Sequence, residues 1–499
     1  MVKIKKSAEH FHRQGNFELA KTQYTKYLKE NPNDPEVYHA FGVLLAQMHD
    51  HQNAMEKINR AIQLNPNQSS FYNSLGNVFL ALKKNDAAKN AYKKAIRINS
   101  KYAVAYNNLG NVYYHQNQFV SAEKSYQKAL ELNPHYTDAQ NNLNILLKKM
   151  GITFFENQHY EQAISLFERI LSTDDKIPEM NYLVASTYLE LGEHSKALNY
   201  YFRQLAQKPL FEAYYNIGVI LMGQDKLNDA IEYFKKSLEY NPNDLSTQLN
   251  LGSIYLKQNK LDQAILIYQN ANRIKPNDPE IQYILLALTQ QYLPQKAPEV
   301  YLKNLFNQYA KNYDKHLVEI LKYDAPKIIF EKINLEFAPA QKSLVILDLG
   351  CGTGLAGDYF KIFSKKLIGL DIAENMIAVA RLKNIYDELI TGEIESSIQQ
   401  FKEIDLVIAA DVFTYIGNLE FIFKQINQVL SNSGVFIFTI EQTFENDFIL
   451  QSSIRYAHSK IYINKLAATY GFKIIALDNI VIRKQRNAPV FGYLALLKK

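Results

Sequence analysis

A glycine-rich turn after an apolar strand is the stretch of this sequence best suited to binding a ligand. The predicted strand Leu344–Leu349 runs into Gly-Cys-Gly-Thr-Gly at 350–354, called the glycine loop below. Alternate residues of this loop lack a β-carbon, so a ligand can lie against the backbone at the carboxyl end of the strand. Asp371 ends a second predicted strand, 366–371. An acid at this position can accept hydrogen bonds from both hydroxyl groups of a ribose.

The glycine loop departs from the dinucleotide-binding fingerprint, which requires a glycine where Leu355 stands. Residues 348–354, Asp-Leu-Gly-Cys-Gly-Thr-Gly, resemble motif I of class I methyltransferases, and residues 370–376 resemble their second motif. The resemblance implies an α/β Rossmann-like domain with seven strands, the last of them antiparallel. It also implies S-adenosylmethionine as the cofactor.

The same resemblance implies how the cofactor is held. Asp348 and the glycine loop would hold its methionine end, and Asp371 would hold its ribose. Residues 392–394 would face its adenine, although the family prefers Asp where Glu393 stands. The predicted cofactor-binding residues of the domain are Asp348, Gly350, Cys351, Gly352, Thr353, Gly354, Asp371, Ile372, Met376, Glu393, Ile394 and Asp411.

Two further acids follow predicted strands at the same edge of the sheet. Asp411 follows the strand 404–410 and Glu441 follows the strand 435–440. A base is needed only if the acceptor loses a proton during transfer. The predicted catalytic residues are Asp411 and His458, with His316 and Tyr415 as further candidates for the base. The predicted acceptor contacts are Tyr415, Glu441, Arg455 and Tyr456.

A helix with an apolar and aromatic stripe precedes the first strand, and a predicted hairpin, 473–483 with 489–497, closes the domain. Two interpretations of the helix stay open. It packs as an ordinary helix on the domain, or it is a lid whose Tyr309 and Tyr313 touch the cofactor or the acceptor. The stripe consists of Leu305, Phe306, Tyr309, Tyr313 and Leu317.

The N-terminal part of the chain repeats with a period of about 34 residues. Small residues recur in pairs twelve apart, and a loop position follows each pair, as expected for eight helix–turn–helix units that resemble tetratricopeptide repeats. One gap of 41 residues predicts a longer helix near 141–150. The predicted domains are repeats at 1–278, a capping helix and linker at 279–299, and the methyltransferase domain at 300–499. The alanines that mark the units are Ala20, Ala54, Ala88, Ala122, Ala163, Ala197, Ala230 and Ala264.

Asparagines recur on the first helix of several units, at positions that face the concave surface of such a solenoid. Amides spaced in this way can bind an extended peptide, or they can hydrogen-bond only to neighbouring repeats, and both interpretations stay open. A solenoid is a binding surface, so we expect a protein or peptide partner. The predicted peptide-binding residues are Asn73, Asn77, Asn107, Asn111, Asn216 and Asn250.

Composition argues against several kinds of site and partner. The single cysteine, Cys351, excludes a disulfide framework and a cysteine-rich zinc site, and the histidines show no metal-ligand spacing, so no metal is predicted. The net charge of +6 comes without a dense basic run, so no nucleic-acid partner is expected. Neither a secretory signal nor a run of ~20 apolar residues is visible, which predicts a cytoplasmic protein away from membranes.

Residues 309–317 and 455–459 are similar to segments of a bacterial family that fuses tetratricopeptide repeats to a methyltransferase, and the whole architecture matches it. Three functions follow. In the first, a methyltransferase acts on a protein that the solenoid recruits, so deletion of 1–292 leaves cofactor binding intact and abolishes transfer. In the second, a small-molecule or carrier-bound carboxyl group is methylated and Arg455 pairs with it. In the third, the domain is a relic within a scaffold.

Overall fold

The computed structural model describes residues 2–290, 292–310, 313–485 and 488–499. The chain divides into two compact units, one that ends at Ile220 and one from Leu221 to Lys499. The seventh and eighth repeats therefore lie largely in the same unit as the α/β part. The division falls within a helix of the seventh repeat, whereas the sequence pattern changes near residue 300.

The repeats form as predicted, as eight pairs of helices followed by a capping helix. The loop after a pair commonly contains Asn-Pro, which ends a helix because proline lacks the N–H group that the helix needs. The helices are α1 (Val2–Arg13), α2 (Phe17–Glu30), α3 (Pro35–Gln47), α4 (His51–Leu64), α5 (Ser69–Ala81), α6 (Asn85–Ile98), α7 (Ala103–His115), α8 (Phe119–Leu132), α9 (Thr137–Glu156), α10 (Tyr160–Thr173), α11 (Met180–Glu190), α12 (His194–Gln207), α13 (Phe211–Gly223), α14 (Leu227–Tyr240), α15 (Leu245–Lys257), α16 (Leu261–Ile274) and α17 (Pro279–Thr289). Gln291, within the predicted capping helix and linker, lies outside the described residues.

Close approach of the two helices of a repeat depends on the small residue of the first helix. A β-carbon built on Gly110 would lie 2.5 Å from Cε1 of Tyr126, and one on Gly76 would lie 2.4 Å from the same atom of Tyr92. Both tyrosines are fully buried. The glycine of the first helix and the aromatic residue sixteen positions later therefore form one packing unit.

The insertion between the fourth and fifth units lengthens a helix, as its size of two turns predicts. Helix α9 has 20 residues, whereas α7, the corresponding helix of the preceding unit, has 13.

Asparagines on the first helices of the third, fourth and fifth units make hydrogen bonds between neighbouring repeats. Asn108 Nδ2 donates to Asn73 Oδ1 at 3.0 Å, and Asn142 Nδ2 donates to Asn107 Oδ1 at 2.9 Å. Asn73 and Asn107 are buried, so the structure favours the interpretation in which these two amides stabilise the stack. Further amide contacts are Tyr92 Oη to Asn77, Tyr126 Oη to Asn111 and Asn216 to Tyr201 Oη. The peptide-binding role of these residues and of Asn250 stays a prediction.

The α/β part has a sheet of nine strands in the described residues, two more than predicted. Seven strands follow the order β3-β2-β1-β4-β5-β9-β8, in which β9 is antiparallel to β5 and to β8. The two additional strands, β6 and β7, form a short antiparallel pair beside the carboxyl end of β5. The strands are β1 (Leu344–Leu349), β2 (Ser364–Asp371), β3 (Glu388–Thr391), β4 (Ile404–Ala409), β5 (Leu430–Gln442), β6 (Phe448–Leu450), β7 (Tyr456–His458), β8 (Lys473–Gln485) and β9 (Ala488–Lys498).

Helices cover both faces of this sheet, since its parallel strands are continuously apolar. The helix with the aromatic stripe is not continuous. Helix α18 ends at Tyr309, α19 spans a single turn, and the following turn, His316–Ile320, is a π-helix. The remaining helices are α18 (Glu299–Tyr309), α19 (Tyr313–Lys315), α20 (Ala325–Phe337), α21 (Leu355–Phe360), α22 (Glu374–Leu382), α23 (Ile394–Ser397), α24 (Glu420–Val429) and α25 (Lys460–Thr469). Among the described residues, none of the helices has the length and apolar character needed to cross a membrane.

Candidate active site

The glycine loop and the end of β2 are tied together by a carboxylate. All three glycines of the loop have positive φ, between 55° and 92°. The Gly352 N–H donates to Asp371 Oδ2 at 2.9 Å, and the Ala373 N–H donates to Asp371 Oδ1 at 2.8 Å. Asp371 is buried, and burial raises its pKa despite these bonds. Each carboxylate oxygen keeps a further lone pair with which to accept a ligand hydroxyl.

Asp348 lies under the glycine loop in an apolar setting. Tyr386 Oη donates to Asp348 Oδ2 at 2.6 Å, and the carboxyl group is fully buried. Burial, reinforced by the charge of Asp371, raises the pKa of Asp348 to about 7, while the tyrosine hydrogen bond acts in the opposite direction. Asp348 can therefore change its charge near neutral pH.

The segment after α18 covers the glycine loop. Tyr313 lies over Gly352. A β-carbon built on Gly352 would lie 3.7 Å from the ring of Tyr313. Thr353 Oγ1 donates a short hydrogen bond to Asp314, and Lys383 Nζ donates to the same carboxylate at 2.9 Å. These contacts hold α19 above the loop, and contact of Tyr309 and Tyr313 with a cofactor or an acceptor stays a prediction. Helices α18 and α19 are together called the lid below. Lys311 and Asn312, in the run 309–317 that carries part of the family resemblance, lie outside the described residues.

The predicted linker is an extended segment held by backbone hydrogen bonds. The Gly417 N–H donates to Gln295 O at 2.8 Å, and the Ala297 N–H donates to Tyr415 O at 2.9 Å. Lys296 Nζ donates to Glu393 Oε1 at 2.6 Å and also bonds Glu395. The segment 293–298, called the strap below, therefore lies across the residues predicted to face the adenine.

A narrow cavity, called the cofactor cavity below, lies between the strap, the lid and the carboxyl ends of β1, β2 and β4. Its volume is about 100 Å3 with the lid in this position. Nine of the predicted cofactor residues line it: Gly350, Gly352, Asp371, Ile372, Met376, Glu393, Ile394, Asp411 and Tyr313. The other five predicted cofactor residues do not line it. Asp348, Cys351 and Thr353 border a smaller cavity beneath the glycine loop, Gly354 packs against Tyr386, and Tyr309 faces a larger cavity.

Four charged side chains form a cluster beside the cofactor cavity. Arg483 Nη1 donates to both oxygens of Asp411 at 2.9 Å, and its Nη2 makes a short bond to Glu441. Arg455 Nη1 lies 3.3 Å from Asp411 Oδ2 and 3.8 Å from Glu441 Oε1. Asp411 itself has a φ of 59°, which is strained for a residue with a β-carbon. Its oxygens are engaged by guanidinium groups, so this geometry favours a positioning role over that of a base.

A larger cavity of about 770 Å3, called the acceptor cavity below, adjoins the cofactor cavity. Phe306, Tyr313 and Tyr415 line both cavities, so these three rings form the boundary between them. Arg455 stacks over Tyr415, with its guanidinium carbon 5.5 Å from the ring centre. One wall comes from the seventh and eighth repeats, through Met222, Leu227, Ser253, Ile254, Leu256, Lys257, Asn259 and Leu261.

Three predicted catalytic or acceptor residues lie outside both cavities. His458 is fully buried, its Nε2 is 3.0 Å from the carbonyl oxygens of Ile416 and Gly417, and burial lowers its pKa to about 4. This geometry does not support the predicted catalytic role of His458, which stays a prediction, since the enclosed imidazole lines neither cavity. Tyr456 is also fully buried and bonds Pro294 O at 2.8 Å, and Glu441 is occupied by Arg483. The predicted acceptor contacts Tyr415 and Arg455 do line the acceptor cavity.

Sequence reasoning missed several residues of the site. Lys296 lies in a segment predicted to be a linker, and Arg483 lies in a hairpin strand 72 residues from Asp411. Phe306 was assigned only to an apolar stripe. The repeat residues of the acceptor cavity carried no local signal, because their role depends on which repeat meets the α/β part. No cluster of metal-binding side chains is present in the described parts of the chain.

Sequence profiles of known families match both parts of the chain. A profile described as a methyltransferase domain matches residues 347–438. Profiles described as tetratricopeptide repeats match residues 6–69, 103–136, 148–210 and 221–288, and a further repeat profile matches 76–117. The matches thus cover the helical repeats and the α/β part of the chain.

Curated relatives match the α/β part. A malonyl-[acyl-carrier protein] O-methyltransferase of Bacillus cereus is 30% identical over 149 residues, which are 29% of this chain and 54% of the relative. A probable S-adenosylmethionine-dependent methyltransferase of Saccharomyces cerevisiae is 30% identical over 167 residues, which are 31% of this chain and 56% of the relative. The chain thus spans little more than half the length of these two relatives.

Among solved structures, the tetratricopeptide protein YrrB, described as having an unusual peptide-binding site, is similar to the helical part. It is 23% identical, with a TM-score of 0.31, over 40% of this chain and 97% of YrrB. MamA is also 23% identical, with a TM-score of 0.31, over 35% of this chain and 92% of MamA.

The methyltransferase profile and the curated methyltransferase relatives imply S-adenosylmethionine as the cofactor. The lining of the cofactor cavity fits it. Asp371 can accept the ribose hydroxyls, and Ile372 and Ile394 offer apolar contact for a base. Asp348 borders a smaller cavity that shares Gly350 and Gly352 with the cofactor cavity, and its ionised form would attract a cationic methionine end. A volume of about 100 Å3 is below the range of roughly 300–1,000 Å3 that is usual for small-molecule sites. We therefore expect the lid to move when the cofactor enters.

Proposed function

We propose that this chain, which joins tetratricopeptide repeats to a methyltransferase domain, transfers a methyl group from S-adenosylmethionine to an acceptor carried by a protein that the repeats recruit. The observation that supports this most directly is the shared boundary of the two cavities. Phe306, Tyr313 and Tyr415 separate a cavity suited to the cofactor from a larger cavity walled by repeat residues. Donor and acceptor can therefore meet across these rings.

When bound, S-adenosylmethionine supplies an electrophilic methyl group on a sulfonium sulfur, which leaves as the neutral thioether of S-adenosylhomocysteine once the acceptor atom takes the methyl. The chain's own contribution is alignment and exclusion of water. Tyr313 and the strap enclose the cofactor cavity. Asp411 is held rigid by Arg483 and fixes Arg455 at the boundary, so an acceptor group bound by Arg455 has a defined position.

Recruitment by the repeats is supported by the way the acceptor cavity is built. Its wall includes the end of α15 and the first residue of α16, so a ligand in the cavity touches repeat residues and methyltransferase residues together. A protein held along the repeats can present a side chain or a prosthetic arm at this position.

Methyl-group labelling tests the proposal. The full chain is incubated with radiolabelled S-adenosylmethionine and a lysate of the source cell, and label in precipitated protein is compared with label in soluble small molecules. We expect label in one or a few protein bands, and none with Asp371→Ala. Label only in small molecules would contradict recruitment of a protein acceptor. A wild-type chain that fails to bind S-adenosylhomocysteine in calorimetry would contradict the methyltransferase function itself.

A second candidate is methylation of a carboxyl group, carried by a small molecule or a carrier. The position of Arg455 on the acceptor cavity favours it, and the Bacillus cereus relative is described as acting on malonyl-[acyl-carrier protein]. In that case Arg455→Ala raises KM for the acceptor about tenfold or more, at little change in the affinity for S-adenosylhomocysteine. An unchanged KM would exclude this role of Arg455.

A further inference from the structure

We infer that the eighth repeat is part of the acceptor site, and that this site takes an apolar arm that ends in a carboxylate. The inference rests on the proposed function, since it specifies the acceptor of the same reaction. It assigns to the repeats a direct role in selecting the acceptor group, in addition to recruitment of a protein.

Residues of the eighth repeat form part of the wall of the acceptor cavity. Ser253 and Lys257 lie on α15 one turn apart, and Asn259 and Leu261 continue the wall through the turn into α16. Opposite them stand Tyr309, Leu317 and the segment 452–455. All of these residues belong to the compact unit that begins at Leu221. Repeat and methyltransferase residues are therefore parts of one folded body around the cavity.

The lining of the acceptor cavity has many apolar side chains. Ten of its side chains are aliphatic or phenylalanine, which suits an apolar arm. They are Met222, Leu227, Ile254, Leu256, Leu261, Leu305, Phe306, Leu317, Leu321 and Ile454.

The charges of the lining point to an anion. Among the described residues, its ionisable groups other than tyrosines are Lys257, His316, Arg455 and Arg483, and no carboxylate lines it. Lys257 pairs with Asp225 at 2.6 Å outside the lining, and Arg483 is committed to Asp411 and Glu441. Arg455 is the less committed cation at the inner end of the cavity.

Arg455 has donors to spare. Within the described part of the chain the one hydrogen bond of its side chain is the 3.3 Å contact with Asp411, which is longer than the ~2.7–2.9 Å usual for a bond between charged groups. A guanidinium group has five N–H donors in a planar fork that matches a carboxylate. A quarter of the side chain is exposed, so these donors are accessible to a ligand in the cavity.

A fluorescent carboxylate tests the inference. The full chain is titrated with 11-(dansylamino)undecanoic acid and, separately, with its methyl ester, which keeps the apolar arm and lacks the charge. We expect the acid to bind at least about tenfold more tightly than the ester. Ser253→Trp, which fills the cavity from an exposed position on the repeat wall, should weaken the acid at least tenfold. Arg455→Gln should reduce the difference between acid and ester to about twofold or less.

A matched control and an independent readout keep the outcomes separate. Ser246→Trp places the same ring on α15 at an exposed position outside the cavity and should leave binding of the acid unchanged. S-adenosylhomocysteine binding is measured on each variant. Equal affinity for acid and ester in the wild type, or unchanged binding of the acid in Ser253→Trp, overturns the inference. Loss of S-adenosylhomocysteine binding in the wild type overturns the proposed function instead.

Discussion

Asp348 couples the cofactor cavity to pH because its carboxyl group is buried under the glycine loop. Its pKa of about 7 in the folded chain lies above its ordinary value, so it is protonated below neutral pH. A cationic ligand nearby favours the ionised form. The two forms of Asp348 therefore differ in how well they accept S-adenosylmethionine.

We predict that affinity for S-adenosylmethionine rises as the pH rises from 5.5 to 7 and levels off above about pH 7.5. Asp348→Asn should be weaker and nearly independent of pH. Calorimetry in buffers of different ionisation enthalpy should show release of a proton on binding near pH 6.5. A flat affinity for the wild type over this range would show that Asp348 does not sense the cofactor's charge.

The raised pKa of Asp348 also makes the stability of the cofactor-free chain depend on pH, but stability falls as the pH rises. Because the folded pKa lies above the unfolded value, the contribution of Asp348 to stability is complete below about pH 4 and is lost as the pH rises through 7. The free energy of unfolding of Asp348→Asn minus that of the wild type should therefore increase from pH 5 to pH 8 in urea titrations. A constant difference would contradict the raised pKa.

Arg483 pairs with the buried Glu441 and the partly buried Asp411, and its loss leaves these carboxylates only their longer contacts with Arg455. We predict that Arg483→Met lowers the free energy of unfolding by about 3–5 kcal/mol, as for other buried ion pairs broken on one side. Arg455→Met should have a clearly smaller effect, because Arg455 is partly exposed and Arg483 still pairs with Asp411 and Glu441. Urea unfolding at pH 7 measures both. Equal effects of the two variants would contradict the assignment of Arg483 as the structural partner.

At the scale of elements, we expect α18 and α19 to move when the cofactor enters, because the cofactor cavity is small in this structure. The chain contains no tryptophan, so Tyr309→Trp places a single indole reporter at the end of α18. We predict that saturation with S-adenosylhomocysteine shifts its emission, whereas Tyr292→Trp, at an exposed position outside both cavities, does not respond. No change for the first variant, with calorimetry confirming saturation, would contradict a moving lid.

Helix pairs in the repeats depend on contact between glycine and an aromatic ring. Gly110→Ala would place a β-carbon 2.5 Å from the buried Tyr126, and we predict a loss of about 1–3 kcal/mol in the free energy of unfolding. Gly223→Ala is the matched control, since nothing lies within 4 Å of its added carbon. There the change should be neutral or stabilising by up to about 1 kcal/mol. Similar losses at both positions would point to backbone effects and not to packing.

At the scale of the whole molecule, the compact unit from Leu221 onwards contains the end of the repeats. Tyr283 of α17 packs in one apolar cluster with Ala297, Tyr415, Leu450 and Tyr456. The capping helix therefore shares a core with the α/β part. Deletion of residues 1–292, which removes α17 with the repeats, would expose this cluster and open the acceptor cavity.

Two truncations test this organisation. A chain that begins at Phe211, the start of α13, should bind S-adenosylhomocysteine within about twofold of the full chain and lose transfer to protein acceptors. A chain that begins at Leu293 should lose transfer to protein acceptors as well. It should no longer unfold cooperatively on heating, because α17 is absent. Calorimetry and thermal unfolding followed by circular dichroism measure these effects. Equal behaviour of the two truncations would show that α13–α17 are dispensable for the α/β part.

Local patterns in the sequence determined the repeats and the principal strands, and they predicted the candidate cofactor residues. The 34-residue period places the helix pairs, and the continuously apolar strands place β1, β2, β4 and β5 to within a few residues, because hydrophobic periodicity and turn chemistry act over short stretches. The glycine loop and Asp371 were found because they act through backbone geometry next to a strand end. The nine-stranded sheet was missed because β6 and β7 have only three residues each.

Only the tertiary structure decided which side chains meet across long separations. Arg483 pairs with Asp411 at a distance of 72 residues, Lys296 pairs with Glu393 at a distance of 97, and Ser253 faces a cavity that also contains Arg455. Charge pairing and burial depend on the environment of the folded chain, which no local pattern encodes. For the same reason the sequence could not show that His458, which was predicted to be catalytic from its residue type, is buried in the core and lines neither cavity.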